Sequence, residues 1–187
     1  MTGINPFNIS PNSVIAAKDF PPKRNTLVAP GFLEPWLRSV ESVLEQGIIL
    51  IVDYGFPRHE LYHPDRSMGT LMCHYQHRAH HDPLSFLGLQ DITSHVDFTQ
   101  IAETAADLGL EVLGFTNQAS FLLNCGLLEM LSFNYPTLSK EEQIQQSHAV
   151  QLLTSPAEMG ELFKVILLGK NYEEPIGFSE NDQRHRL

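Results

Sequence analysis

GIILIVDYG, residues 47–55, places five consecutive apolar residues rich in β-branched types directly before Asp53, Tyr54 and Gly55. It reads as a buried strand that delivers polar groups at its C-terminal end. A run apolar on both faces suits a sheet covered on both sides, as in α/β folds, where ligands gather beyond the strand ends. The residues after Gly55 are therefore the place to look for chemistry. They run FPRHELYHPDRSMGTLMCHYQHRAHHDP and carry His59, His63, His74, His77, His80 and His81.

Outward from this strand, the chain alternates helices and strands. On the N-terminal side Leu33, Trp36, Leu37, Val40, Val43 and Leu44 recur at helical spacing, which predicts a helix over 33–46. Pro35 falls in its first turn, and Gly47 stands where a C-terminal cap would. Before that, residues 1–31 hold Pro6, Pro11, Pro21, Pro22 and Pro30, and read as an irregular lead-in. On the C-terminal side, residues 69–74 suggest a short strand or hairpin arm. Asp97 can N-cap a helix with Phe98, Ile101, Ala102, Ala105 and Leu108 as its apolar stripe, ended by Gly109. A strand over 110–116 follows, then a short apolar helix from Gln118 to Cys125. Ser139 with Glu142 predicts a capped helix over 139–153, and Ser155-Pro156-Ala157-Glu158 a single helical turn before Gly160. The last strand is LFKVILLG, 162–169, and a polar tail runs from Asn171 to Leu187.

Three buried-looking strands are few for a complete α/β domain. The sheet is expected to belong to a larger one or to be completed by a partner, because an exposed apolar edge pairs readily with another chain. One domain over 32–187 is the reading, following the lead-in over 1–31.

Composition narrows the function. A formal charge of -10, from 12 basic and 22 acidic residues, argues against a general nucleic-acid or anionic-membrane surface. Two cysteines, Cys73 and Cys125, make no disulfide framework and read as reduced thiols. No apolar run approaches the length of a membrane span, and the first residues lack the basic start and apolar core of a signal peptide. The expected compartment is the cytoplasm.

The histidine segment offers mixed metal ligands at short spacing, among them Cys73, His74, His77, His81 and Asp82, but matches no tight template such as HExxH or a CxxC pair. It reads mainly as a polar loop shaped for substrate or for hydrogen bonds at the sheet end. Asp53, partly desolvated at a strand terminus, suits a general base or a partner for a cationic group; the alternative is an Asp capping its own turn. Tyr54 and Gln118 sit where they can position substrate, or are ordinary satisfied polar residues. A hydrolase nucleophile motif, a Walker loop and a GxGxxG loop are all missing from the sequence.

GIILIVDYGFPRHELYHPDRSMGTLMCHYQHRAHHDP, LQDITSHVDFTQIAETAADLGLEVLGFTNQASFLLNCGL, SPAEMGELFKVILLGK and GFSENDQRHRL together resemble the C-terminal half of the MidA family of S-adenosylmethionine-dependent methyltransferases, bacterial branch. Its mitochondrial members are complex I assembly factors acting as protein arginine methyltransferases. The resemblance covers residues 33–187, while the proline-rich lead-in departs from the family. It implies a Rossmann-like class I methyltransferase sheet of which this chain carries the last three strands, the final one antiparallel and inserted between the other two. From the reading of the residues, Asp53, Tyr54, His74 and Gln118 are the candidate catalytic residues, with no cofactor-binding or metal-binding residue expected in the chain. The family's cofactor, S-adenosyl-L-methionine, is held by the N-terminal half, so none is expected on this chain alone. The implied partners are a protein substrate, on the mitochondrial pattern a respiratory-complex subunit, and either the missing half or a second copy. A non-catalytic binding or assembly module derived from the family is the other reading.

Overall fold

The computed structural model describes residues 31–187. All but the last residue of the lead-in lies outside the described residues. The elements are α1 (Leu33–Val43), β1 (Gly47–Phe56), α2 (Arg58–Leu61), β2 (Met72–Tyr75), β3 (Arg78–His80), β4 (Asp91–Thr93), β5 (Val96–Asp97) and α3 (Phe98–Asp107). Then follow β6 (Glu111–Asn117), α4 (Gln118–Asn124), α5 (Leu127–Asn134), α6 (Lys140–Thr154), α7 (Met159–Leu162) and β7 (Phe163–Lys170).

The main sheet has the order β5-β1-β7-β6, and β7 runs antiparallel to both neighbours. The last strand is therefore inserted between the other two, as the resemblance implies. One face is closed by α1 and α3: Leu37, Phe98, Ile101, Ala105, Leu110, Phe115, Ile166 and Leu168 are buried together, with Ile49 and Ile51 against them. The other face is closed over β6 and β7, where Leu113, Val165, Leu167 and Phe178 pack with Phe121 and Tyr172.

Over β1 that second face is open. Ile48, Leu50, Val52 and Tyr54 are 39–44% exposed, against an expectation of burial on both sides. The strand pairs with β7 along Gly47–Tyr54, but on its other edge, among the described residues, only Gly55 and Phe56 are paired, in parallel with Val96 and Asp97. Among the described residues nothing covers the remainder, which is why a doubly apolar run ends up half exposed.

Other elements differ from expectation for local reasons. Helix α1 stops at Val43 because Leu44 turns extended, and the Lys170 ammonium takes the Glu41 carbonyl at 3.0 Å and its carboxylate at 2.6 Å. Gly47, at φ 143°, opens the strand and does not cap the helix. Ser155 to Glu158 forms a turn, and the short helix α7 begins only at Met159. The caps were readable: Asp97 accepts the Gln100 amide at 3.0 Å, and Ser139 with Glu142 forms a complete capping box.

The tail is more than a polar end. Phe115 donates its amide to Asp182 Oδ1 at 3.3 Å and accepts the Gln183 amide at 2.7 Å, while the Thr116 hydroxyl donates to the Asn181 carbonyl at 2.8 Å. The tail thus occupies the outer edge of β6, a common way of shielding a sheet edge.

Candidate functional site

At the C-terminal end of β1, residues of alternate parity share a face, so Tyr54 and Phe56 stand on the open face beyond Val52. Phe163, opposite Tyr54 in the β1–β7 register, brings its ring to 4.0 Å from the Tyr54 ring. His95, delivered just before β5, lies 5.2 Å from the Phe56 ring and 6.4 Å from the Tyr54 ring. Arg66 sets its guanidinium carbon 3.9 Å from the Phe56 centroid, and the Lys164 ammonium stands at 5.7 Å.

The charges around these rings are tied across two strands through α7. Lys164, buried, pairs with Glu161 Oε1 at 2.9 Å, and Glu161 Oε2 accepts from the Asn117 side chain at 2.5 Å. Asn117 in turn caps α4 by accepting the Ser120 amide at 2.8 Å. The ends of β6 and β7 are thereby locked beside the end of β1. Burial pushes the His95 imidazole below its ordinary pKa, the Arg66 charge adds to this, and the Asp53 carboxylate opposes it. His95 Nδ1 is buried with no hydrogen-bond partner among the described residues. Its amide donates to Thr70 Oγ1 at 3.1 Å.

A second polar group braces the site from behind. Arg58 bonds Asp97 Oδ2 at 3.0 Å and grips Glu103 with both terminal nitrogens at 2.8 and 2.6 Å. The Arg58 guanidinium holds the Glu103 carboxyl below its usual range, and Arg58 itself is raised. This fixes the turn after β1 onto α3.

The four residues expected from the sequence are not all gathered. Tyr54 is at the site and Asp53 beside it on the other face of β1, where its Oδ1 accepts the Tyr54 amide at 2.7 Å and so caps its own turn. Gln118 is buried at the end of β6, with its side-chain amide donating to the Leu153 carbonyl at 2.9 Å. His74 is exposed on β2, opposite Ala79 and Asp91, in a separate sheet of order β3-β2-β4. The histidine segment forms this small sheet: the strand or hairpin arm expected over 69–74 is found as β2, while β3 and β4 take up residues expected as polar loop, with Tyr75 and Phe86 stacked at 4.3 Å. Among the described residues, no three of His, Cys, Asp and Glu converge as a metal site would require.

Phe56, Phe163, Lys164, Arg66 and His95 were missed. The alternation of β1 already places Phe56 with Tyr54, and a lone lysine inside LFKVILLG is a readable oddity because buried lysines are rare. His95 carries no local signal, since only strand pairing brings it to the site.

A groove lies elsewhere. It encloses about 670 Å³ between α5 and α6, lined by Leu128, Leu131, Tyr135, Gln146 and Val150 among others.

A mixed α/β sheet flanked by helices, with an open site at its strand ends, places the protein in a class of methyltransferase-like folds. Residues 5–116 match the family model described as "Putative S-adenosyl-L-methionine-dependent methyltransferase", and the chain belongs to that family, of MidA type. The match takes in most of the lead-in, against the expectation that it departs from the family; the motif blocks that suggested the resemblance begin only at Gly47. A Danio rerio relative named mitochondrial protein arginine methyltransferase NDUFAF7 is 34% identical over 122 residues, 63% of this chain and 26% of the relative. A Drosophila melanogaster homologue of that name is 32% identical over 124 residues, again 26% of its length. An uncharacterised superfamily protein from Burkholderia thailandensis superposes with a TM-score of 0.78 at 45% identity, over 82% of this chain and 41% of that one. Another superfamily member from the same organism, bound to S-adenosyl-homocysteine, gives a TM-score of 0.76 at 44% identity, over 82% of this chain and 40% of that one. The chain thus spans about a quarter of the curated relatives and about two-fifths of the solved structures.

Proposed function

We propose that this chain is the acceptor-side, C-terminal part of an S-adenosylmethionine-dependent protein arginine N-methyltransferase. The observation that carries the reading is the end of β1, where an aromatic group of Tyr54, Phe56, Phe163 and His95 stands on a sheet face open to a partner surface, with the Asp53 carboxylate on the other face of the same strand end. Aromatic faces and a carboxylate are the means by which a flat cation is held and oriented, and orientation supplies much of the rate of a group transfer. Tyr54 and Phe163 form the apolar wall, Asp53 adds negative charge from the other face of the same strand end, and burial disfavours the charged form of His95 beside them. A respiratory-complex subunit is the acceptor suggested by the mitochondrial relatives, and the cytoplasm is the compartment we assign to this chain.

We read the described residues as lacking a cradle for the cofactor. Gly55, the glycine at the strand end, is taken up by packing: a Cβ there would lie 2.3 Å from the Val96 carbonyl and 2.7 Å from the Phe98 ring. It supports close strand and helix contact and leaves no cradle. We therefore assign cofactor binding to elements other than residues 32–187 and treat those residues as one unit, inactive by themselves. The runner-up is a non-catalytic binding module, favoured by the groove of about 670 Å³ between α5 and α6.

Calorimetric titration of the chain with S-adenosylmethionine should show no saturable heat, and saturable binding would place the cofactor site here after all. Co-expression with a family N-terminal half should give a complex that methylates arginine in a protein substrate. A stable complex without transfer would favour the binding module.

A further inference from the structure

Phe56 already carries a guanidinium. The Arg66 guanidinium carbon lies 3.9 Å from the ring centroid, close enough for a strong cation–π contact. The half-buried ring closes the end of β1, with His95 at 5.2 Å and, through His95, Tyr54. Arg66 reaches it from the loop between α2 and β2, where the backbone is tied by short turns: His63 donates to the Glu60 carbonyl at 3.2 Å, Arg66 to His63 at 2.9 Å and Gly69 to Arg66 at 3.0 Å. Bonds of this kind let a loop shift without unpairing the sheet below it.

We infer that Phe56 is the seat for the acceptor's guanidinium and that Arg66 is the chain's own occupant of that seat, displaced when an arginyl segment binds. This rests on the arginine-acceptor reading above. Charge makes the two occupants exclusive. Lys164 stands 5.7 Å from the same ring, and its partner Glu161 is already engaged at 2.9 Å. A second guanidinium entering beside Arg66 would meet like charge at close range, whereas replacing Arg66 leaves the local charge unchanged. The same exchange keeps His95 next to one cation in both states. Arg66 therefore sets a threshold for acceptor binding and selects for planar cations that stack as well as it does.

The test uses the 187-residue chain and a capped arginyl peptide, with its citrulline counterpart as the neutral isostere. Arg66→Gln should bind the arginyl peptide roughly two- to fivefold more tightly than the wild type, the gain expected from freeing one exposed aromatic face. Adding Phe56→Leu should abolish that gain, and the citrulline peptide should bind more weakly throughout. Equal affinity in wild type and Arg66→Gln would overturn the role of Arg66 while leaving the acceptor reading standing. An intact affinity gain, with no methyl transfer to arginine by the reconstituted complex, would overturn the acceptor reading and leave Arg66 as the gate of a guanidinium-binding site. Tight binding of the citrulline peptide would show that the seat does not read charge.

Discussion

His95 shows how a residue acquires chemistry from its neighbours. Its ring is half-buried between Tyr54 and Phe56, and burial together with Arg66 lowers its pKa. A group whose folded pKa is depressed favours the fold in its neutral form. Its contribution is complete above the unfolded value of about 6.5 and is lost as pH falls through the folded value. An NMR titration should give a midpoint below that of free histidine, and His95→Gln should flatten the acid side of the stability curve measured by urea unfolding. A midpoint at or above the free value would contradict the burial assignment. At this scale the sequence was legible where the signal is local: Asp97 was readable as a cap from its spacing to the apolar stripe of α3. His95 was not, because its partners lie some forty positions away and are reached only through the pairing of Gly55 with Val96.

At the scale of elements, the tail, β6 and β7 act as one packed unit. The β6–β7 register shifts between Val112 and Gly114, which sets Leu113 and Gly114 on the same face. Phe178 from the tail then fills the space above Gly114, so close that a Cβ at residue 114 would lie 2.2 Å from the Phe178 ring. Gly114→Ala should destabilise the chain by about 1–3 kcal/mol through overpacking. Phe178→Ala, which removes a residue only 4% exposed, should cost about 3–5 kcal/mol. The two must not add: in the Phe178→Ala background, Gly114→Ala should cost little, and a denaturation double-mutant cycle reads the difference. Additive costs would mean that the tail does not rest on β6. Periodicity found β6, β7 and α3, since each has a strong apolar stripe or run. It missed the order of the tail, whose one buried anchor, Phe178, sits in a polar sequence. It also missed α5: the short helix from Gln118 was read as ending at Cys125, and Gly126 just after it is the residue from which the next one starts. The strands β3 and β4, three residues each, are too short to alternate visibly.

At the scale of the whole molecule, the unresolved tension is β1. One face of the sheet is closed by α1 and α3, the outer edge of β6 by the tail, and yet among the described residues nothing pairs with the second edge of β1 from Gly47 to Tyr54, beside a row of half-exposed apolar side chains. Edge strands are normally blunted by lysine, proline or a bulge. From Gly47 to Val52 this strand has no charge and no proline, and its register with β7 is unbroken. The solved relatives carry more than half their length beyond the part this chain matches, which fits a surface built to be covered. When the 187-residue chain is alone, a second copy is the available strand: antiparallel self-pairing sets isoleucine, leucine and valine opposite one another and moves each Asp53 away from its twin. Light scattering should therefore show a mass that grows with concentration, and Leu50→Lys with Val52→Lys should return it to the monomer without loss of helix and strand content. A wild-type chain that stays monomeric and folded at every concentration would mean that the edge is protected in solution. Adding a family N-terminal half should compete with the self-associated form, since both would need the same edge.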